Sequence, residues 1–164
     1  MKFNLVAKLL SVVFSWFIFT QAQASQANPE EAKIIESLKP FQEKWVTSFN
    51  QGLYETCASM YTEDASFVMY HGLGKGQHVI ANGRSEIRNF WSGVVNEMKL
   101  INMKSSEPQY ATISPEKVIV SYAKVSFASK EAPNSEVFTG IIHSEVWIKK
   151  GEQWFVSLDI TEAL

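Results

Sequence analysis

His143 and Glu145 are the residues whose types and spacing best suit acid/base chemistry. They stand two residues apart in a segment rich in Val, Ile and Trp, and side chains two apart on a β-strand share one face. On an apolar face the pair could act as acid and base, with Glu145 orienting the imidazole or having its own pKa raised by apolar walls. The alternative is a structural hydrogen-bonded pair, or an exposed pair at a subunit interface.

No recognisable metal or nucleotide motif accompanies this pair. His71, His78 and His143 lack the His-x-His and His-Glu-x-x-His spacings of zinc sites. The glycine-rich segment 72–76 is followed by Gln77 rather than by Lys-Ser/Thr, which excludes a phosphate loop. We therefore predict a site without a metal or another cofactor.

Length and composition are those of one folded acidic domain. The 164 residues are 46% hydrophobic, and 15 basic against 17 acidic residues give a net charge of −2. Without a basic surface the chain is not expected to bind nucleic acid or anionic lipid. The single cysteine, Cys57, excludes an intramolecular disulfide, and its position in an apolar helical stripe predicts a buried side chain rather than a nucleophile.

The N-terminal residues have the order of a secretory signal peptide. Two lysines flank the start of an apolar run at 9–19, and small residues allow cleavage after Ala24. The run is shorter than the about 20 residues of a membrane helix, so we expect a periplasmic or secreted protein that leaves the membrane on cleavage. An uncleaved membrane anchor is the alternative. Within this scheme residues 1–24 are the signal, 25–33 a disordered lead-in and 34–164 the folded domain.

Apolar residues recur at helical spacing in three segments of the first half of the domain. The first covers 34–49, where Pro40 is expected to kink or divide the helix. The second is a short stripe over 53–61, and the third is a full apolar face over 87–98. The glycines of segment 72–83 indicate a mobile loop between the last two helices.

The second half of the domain is predicted to be a series of strands rich in Val, Ile, Thr and aromatic residues. Turn residues separate them, and no helical period intervenes between the last strands. An α+β fold follows, with helices first and an antiparallel meander after them. The predicted strands are Leu100–Ser106, Gln109–Ile113, Lys117–Ala128, Glu136–Lys149 and Gln153–Thr161.

Strand alternation predicts which side chains accompany His143 and Glu145. If the connection 149–152 holds an even number of loop residues, Trp147 and Trp154 lie on the same face as the pair. This alternation puts Asp159 on the opposite face, away from His143. The predicted inner face is His143, Glu145, Trp147, Trp154, Val156, Leu158 and Ile160, and the outer face is Ile142, Val146, Ile148, Phe155, Ser157 and Asp159.

Four short motifs carry a resemblance to a known superfamily. They are Phe49-Asn50-Gln51-Gly52, then Tyr61-Thr62-Glu63-Asp64-Ala65, then Gly83-Arg84-Ser85-Glu86-Ile87 with Phe90-Trp91, then Val146-Trp147 through Gly151, Trp154 and Asp159-Ile160. From about Leu38 to Ile160 the chain resembles the nuclear transport factor 2-like superfamily, closest in pattern to its bacterial SnoaL-like and ketosteroid isomerase-like members. The resemblance implies a cone-shaped, cystatin-like fold, with N-terminal helices packed in a curved antiparallel sheet around an apolar pocket. Isomerases, cyclases, hydrolases, dehydratases and binding modules share this scaffold, so the fold does not name an activity.

Comparison with ketosteroid isomerase gives four positions an implied role. Glu145 falls at the protonated aspartate that donates to the substrate oxyanion, and Trp45 falls at the oxyanion tyrosine. Met69 takes the place of the proton-abstracting aspartate and cannot accept a proton, so steroid isomerisation by the family mechanism is not expected. His71 would be a substitute base if its side chain pointed inward with Met69.

Two functions from different classes remain open at this point. The first is a cofactor-independent acid/base enzyme acting on a small, mainly apolar molecule, and the second is a non-catalytic small-molecule-binding or protein-interaction module using the same pocket. In a third interpretation, side chains fill the pocket. The function then lies in the surface of a homodimer that is joined through the sheet. The predicted catalytic residues are His143 and Glu145, and the predicted pocket residues are Trp45, Met69, His71, Trp91, Trp147 and Trp154.

Overall fold

A computed structural model of the chain describes residues 28–71, 77–97 and 99–163, without side chains at 71, 77, 101, 135–141 and 163. The predicted signal peptide, residues 1–24, lies outside the described residues. Over the described ranges, helices pack against one curved sheet of seven strands, which confirms the α+β fold class. No helix in this part of the chain is long and apolar enough to cross a membrane. The elements are α1 (Pro29–Asn50), α2 (Tyr54–Ser59), β1 (Tyr61–His71), β2 (Gln77–Asn82), α3 (Gly83–Asn96), β3 (Leu100–Ser105), β4 (Gln109–Ser114), β5 (Lys117–Ser129), β6 (Ala132–Lys150) and β7 (Gln153–Ala163).

Helix α1 begins at Pro29, so the disordered lead-in predicted for 25–33 is wrong over 29–33. The side chain of Asn28 accepts a hydrogen bond from the backbone N–H of Glu30 at 3.1 Å. Pro29 occupies the first turn, where the N–H that proline lacks would have no helical partner. The capping residue and the proline therefore allow α1 to begin before the residues of its apolar stripe.

The three helices bury one face each, as their periodicity predicts. Helix α1 passes through Pro40 without being divided. Cys57 on α2 is fully buried, as predicted, and this burial raises the pKa of its thiol to about 12. Leu53 does not belong to the buried stripe as predicted, because it precedes α2 and its side chain is 47% exposed. The buried residues of α1 are Leu38, Gln42, Trp45, Ser48 and Phe49, and those of α3 are Ile87, Trp91, Val94 and Val95.

The sheet is mixed rather than purely antiparallel. Its strand order is β2-β1-β7-β6-β5-β3, and β4 also pairs with β5. Strands β5, β6 and β7 form the predicted antiparallel meander, but β7 pairs with β1 in parallel. Parallel strands need a long crossover connection, and here everything between β1 and β7 supplies it. The prediction of an all-antiparallel sheet is therefore wrong at this one pairing.

Two segments predicted to be loops form strand instead. Over 77–82 the chain forms β2, which pairs with β1, whereas 72–76 lie outside the described residues. The predicted turn at 130–135 is shorter than expected, because Ser129 already pairs with Ala132. In both segments, backbone pairing with an adjacent strand determines the conformation. The glycines and turn residues of the local sequence do not indicate that pairing.

Aromatic side chains from α1, α3 and the sheet form the centre of the core. The rings of Trp45 and Trp91 meet edge to face with centroids 5.2 Å apart, and the ring of Phe49 stacks beside Trp45 at 5.7 Å. Phe67 on β1 contacts Trp91 at 5.4 Å. These contacts attach both long helices to the concave face of the sheet.

Apolar side chains also cover the face of the sheet that is turned away from the helices. By register, Ile80, Val68 and Ile160 lie side by side across β2, β1 and β7. Ile80 and Ile142 are 50% and 42% exposed. This outer face continues across the pairs Leu158 with Val146 and Val146 with Ile119.

Candidate active site

His143 and Glu145 lie side by side on the inner face of β6, as strand alternation predicts. Each residue is only 4% exposed. His143 Nε2 lies 3.0 Å from Glu145 Oε1, within hydrogen-bond distance. Trp147 and Trp154 share this face and are fully buried, so the predicted grouping of these four residues is confirmed.

A β-bulge in β7 changes which residues face them. Trp147 pairs with Val156, but Val146 pairs with Leu158, so Ser157 is an extra residue in β7. An extra residue reverses the alternation of all side chains beyond it. The prediction that Leu158 turns inward is therefore wrong, and so is the placement of Asp159 on the outer face.

Beyond the bulge, β7 contributes two polar side chains to the inner face. Asp159 pairs with Glu145 across the ladder, and Thr161 pairs with His143. Asp159 is fully buried and Thr161 is 5% exposed. Ile160, which was predicted to face inward, lies half-buried on the outer face. We call His143, Glu145 and Asp159 the buried triad.

Hydrogen bonds hold each member of the buried triad in place. His143 Nδ1 lies 2.8 Å from Thr161 Oγ1 and 3.5 Å from Asp159 Oδ1. The Trp147 indole N–H donates to Glu145 Oε2 at 2.6 Å, and the Tyr61 hydroxyl donates to Asp159 Oδ2 at 2.6 Å. Asp159 Oδ1 is buried without a hydrogen-bond partner among the described residues. This oxygen is the one that faces His143 Nδ1.

Burial and mutual charge shift the titration of the triad. Burial disfavours the imidazolium form of His143, but the charge of Asp159 and the hydrogen bond to Glu145 outweigh it and raise the pKa of His143 to about 9. Burial raises the pKa of Asp159 to about 6, although the His143 cation opposes the rise. At neutral pH His143 is therefore a cation that can donate a proton, and Asp159 is the group suited to accept one.

The buried triad is also a set of side chains of the kind that binds metal ions. One ligand-type atom from each of His143, Glu145 and Asp159 lies within 4.8 Å of the other two. In the geometry described, Glu145 approaches Nε2 of the imidazole and Asp159 approaches Nδ1, so both carboxylates are partners of the ring. Because a metal is bound by one nitrogen of an imidazole, an ion would replace the carboxylate contact at that nitrogen.

A second chain of buried polar groups reaches the triad from α1. The Tyr110 hydroxyl donates to Gln42 Oε1 at 3.0 Å, and Gln42 Nε2 donates to the Tyr122 hydroxyl at 2.9 Å. The ring of Tyr122 lies 5.7 Å from that of His143. One feature of the sequence indicates these hydrogen-bonded side chains, because Gln42 is a polar residue inside the apolar stripe of α1.

The remaining predicted pocket residues lie in different environments. Trp45 and Trp91 are buried, and neither indole N–H has a hydrogen-bond partner among the described residues. Trp154 donates its indole N–H to Ser37 on α1. Met69 is half-buried against the core on β1. The backbone of His71 pairs with Ala163 at the end of β1, but its side chain lies outside the described residues.

A surface depression lies elsewhere and does not include the triad. Its lining includes Glu55, Glu63, Arg84 and Arg88. The arginines are already paired, Arg84 with Glu63 and Arg88 with Glu55. Because these charged side chains are exposed and already paired with one another, we interpret their role as structural. The buried triad is therefore the stronger candidate site.

Comparison with known proteins identifies the fold. No protein-family model matches the chain, and no curated protein matches it in sequence. A nuclear transport factor 2-like protein of unknown function from Pseudomonas putida superposes with a TM-score of 0.62, covering 79% of this chain and 85% of that chain at 10% identity. The chain has the nuclear transport factor 2-like fold.

Two further structures support this assignment of the fold. A domain of unknown function with a cystatin-like fold from Nostoc punctiforme gives a TM-score of 0.63, with 80% of this chain and 78% of that chain covered at 14% identity. A candidate scytalone dehydratase from Novosphingobium aromaticivorans gives 0.64, with 82% and 87% covered at 11% identity. In the nuclear transport factor 2-like fold of this chain, the buried triad lies between the sheet and α1 and α3.

Proposed function

We propose that this chain is a small-molecule-binding domain that performs acid/base chemistry without a cofactor on a small, mainly apolar substrate. The observation that carries the proposal is the buried imidazole of His143 held between two carboxylates, with Asp159 Oδ1 left without a hydrogen bond among the described residues. Burying several ionisable groups together is costly. Titratable groups whose surroundings move their pKa values apart are typical of acid/base sites.

In this mechanism the three residues take different parts. Asp159, with its pKa raised to about 6 by burial, removes a proton from a substrate carbon. The His143 imidazolium stabilises the negative charge that develops and donates the returning proton. Glu145 accepts hydrogen bonds from both His143 and Trp147, so it orients the imidazole.

Register supports Asp159 as the base. Met69 occupies the position where the related isomerases have their base, and it pairs with Thr161 on β7. Asp159 pairs with Phe67, two residues from Met69 on β1. A carboxylate is thus supplied by the adjacent strand. The structural neighbour from Novosphingobium is a candidate dehydratase, and dehydration is also a proton-transfer reaction.

Hydrogen exchange on a simple ketone tests the proposal. The mature protein is incubated in D2O with 1-tetralone, and deuterium entering the carbon next to the carbonyl is followed by NMR. We expect catalysed exchange that falls about 100-fold in Asp159→Asn, the usual scale for losing a positioned base. Asp64→Asn, an exposed carboxylate on β1, is the matched control and should exchange at the wild-type rate.

The second candidate is a non-catalytic module that binds a small molecule at the same site. One observation favours it: both nitrogens of His143 and both oxygens of Glu145 already have partners inside the protein. Binding of 1-tetralone with exchange no faster than in buffer would support this candidate. Catalysed exchange that depends on Asp159 would exclude it.

We also propose that the domain is exported and forms a homodimer through the outer face of its sheet. The row of Ile80, Val68 and Ile160 supports the dimer, because a second copy would bury the exposed side chain of Ile80 and the half-buried side chains beside it. Export rests on the order of residues 1–24. Cell fractionation followed by N-terminal sequencing tests it, and a mature chain beginning at Ser25 is the expected result.

A further inference from the structure

Asp159 Oδ1 lies close to a positively charged donor and yet accepts no hydrogen bond from it. The oxygen is buried, and none of the described residues reaches it with a hydrogen bond. His143 Nδ1 is 3.5 Å away, beyond the about 2.7–2.9 Å of a charge-assisted hydrogen bond. The other oxygen, Oδ2, accepts the Tyr61 hydroxyl at 2.6 Å. The two oxygens of this carboxylate are therefore in different conditions.

Thr161 is the reason that the imidazole does not bond Asp159. Its Oγ1 lies 2.8 Å from His143 Nδ1. In the imidazolium form Nδ1 carries a hydrogen, so the hydroxyl oxygen is the acceptor of that N–H. The Nε2–H of the same ring donates to Glu145 Oε1 at 3.0 Å. Both N–H groups of the cation therefore have acceptors, and neither acceptor is Asp159.

The register of β7 against β6 gives Thr161 this advantage. Thr161 lies directly opposite His143 in the ladder, whereas Asp159 lies opposite Glu145. Directly opposite residues have their Cβ atoms about 4.5–5.5 Å apart, and diagonal neighbours are about 7–8 Å apart. The short threonine side chain is thus close enough to accept the N–H, and the Asp159 carboxylate meets the ring only diagonally. Thr161 is 5% exposed, so the contact is shielded from water.

We propose that Thr161 is a positioning residue that diverts the imidazolium N–H from Asp159 and so keeps Asp159 Oδ1 available as the base. A carboxylate oxygen in a direct hydrogen bond to the His143 cation is a weaker base, and its lone pair is directed at the ring rather than at a substrate. At 3.5 Å the cation still acts on Asp159 through its charge without occupying the oxygen. The inference rests on the proposed function and adds the residue that keeps its acid and its base apart.

The two N–H protons of the His143 ring test the assignment in wild type by NMR. A proton in a hydrogen bond to a carboxylate resonates further downfield than one in a hydrogen bond to a hydroxyl, because the charged acceptor gives the shorter and stronger bond. With isotope-labelled ring nitrogens, we expect the Nδ1 proton, bonded to Thr161, to resonate upfield of the Nε2 proton, bonded to Glu145. Equal shifts, or the reverse order, would overturn the proposal without any need for a variant that folds.

Thr161→Val removes the hydroxyl and keeps the shape of the side chain. The Nδ1–H should then turn to Asp159 Oδ1, so its proton signal should move downfield and ketone exchange should fall about 10–100-fold, the range of a hydrogen bond to a charged group. The Thr161 hydroxyl itself weakly lowers the pKa of Asp159, but the N–H of a cation is the stronger donor. The exchange profile should therefore shift to lower pH. Because an ion pair replaces the lost hydrogen bond, the urea midpoint should stay at or above that of wild type.

Two further variants separate this role from a structural one. Thr161→Ser keeps the hydroxyl and should keep the wild-type order of the two proton signals and the wild-type pH profile. Thr112→Val is the matched control, because Thr112 lies on the inner face of β4 and its hydroxyl oxygen is buried without a partner among the described residues. This control should leave exchange and both proton signals unchanged.

Each failure has a distinct meaning. If exchange and the urea midpoint fall together in Thr161→Val while the Nδ1 proton keeps its position, Thr161 is a structural residue and the proposal is overturned. Unchanged exchange in a variant whose Nδ1 proton has moved downfield would overturn it as well, since the base would not need that oxygen. Wild type that shows the expected proton order but no catalysed exchange would refute the proposed base itself, and the inference would fall with it.

Discussion

Asp159 lies directly opposite Glu145 in the pairing of β7 with β6, and the imidazole of His143 contacts both carboxylates. Two like charges facing each other across a ladder are destabilising on their own. The His143 imidazolium offsets this repulsion, and Tyr61 and Trp147 donate to the outer oxygen of each carboxylate. The electrostatic balance of the site therefore depends on the protonation of one imidazole.

The fold should lose stability as the pH rises through the titration of His143. The carboxylates raise its pKa from 6.5 to about 9. Its stabilising contribution is fully present below pH 6.5 and is lost as the pH approaches 9, a change on the order of 3 kcal/mol. Urea unfolding across this range measures it. His143→Gln should flatten the dependence, and His78→Gln at an exposed histidine should not; a steep profile in His143→Gln would contradict the assignment.

Asp159→Asn should lower the pKa of His143. The charge of Asp159 is the largest influence that raises this pKa, and asparagine removes it without changing the side-chain shape much. NMR titration of the imidazole proton signals measures the shift directly. Asp64→Asn removes an exposed carboxylate and should leave the titration where it was. An unchanged His143 titration in Asp159→Asn would mean that the two groups are not coupled.

Tyr61→Phe should destabilise the fold by about 1–3 kcal/mol, because it leaves Asp159 Oδ2 buried without its donor. It should also move the pKa of Asp159 further up, since the lost hydrogen bond favours the carboxylate. Urea unfolding measures the first effect, and the pH dependence of ketone exchange measures the second. Tyr70→Phe, half-buried on the outer face, is the control. A variant as stable as wild type would show that the 2.6 Å contact contributes little.

Deleting Ser157 should leave the buried triad in place. Ser157 is the extra residue of β7, and without it Val156 and Leu158 become adjacent while still pairing with the adjacent residues Trp147 and Val146, so Asp159 and Thr161 continue to face inward. We expect the raised His143 pKa to persist in the deletion variant, as measured by NMR titration of the imidazole. Ser157→Ala keeps the bulge and loses only the hydrogen bond to the Val146 carbonyl, at about 1 kcal/mol. A deletion variant that loses the abnormal His143 titration would show that Ser157 is not the extra residue of the ladder.

The placement of Asp159 also marks the limit of what the sequence predicts. Periodicity identifies α3, the strands of the meander and the shared face of His143 and Glu145, because each depends on neighbours within one element. The side on which Asp159 lies depends on an insertion relative to another strand, and a period of two cannot report it. The pairing of β1 with β7 and the contact of Gln42 with Tyr122 join distant parts of the chain, so no local pattern contains them.

Charges on the outer face should dissociate a homodimer. Ile80→Lys and Ile142→Lys each place an ammonium group on a half-exposed apolar surface that a partner would bury. Sedimentation velocity should show wild type as a dimer and each variant as a monomer. Leu53→Lys, at a similarly exposed position beside α2, is the control and should remain dimeric. A wild-type protein that sediments as a monomer would rule out this interface.

Strand β7 is the last described strand along the chain, yet it occupies a place between β1 and β6 in the middle of the sheet. During synthesis the ribosome delivers β1 and β6 first, so both wait with an unpaired edge until β7 arrives. Asp159 and Thr161 arrive with it. Before β7 emerges, a nascent chain can hold His143 and Glu145 but not the complete triad, so the chemistry proposed for the site begins only once β7 has paired between β1 and β6.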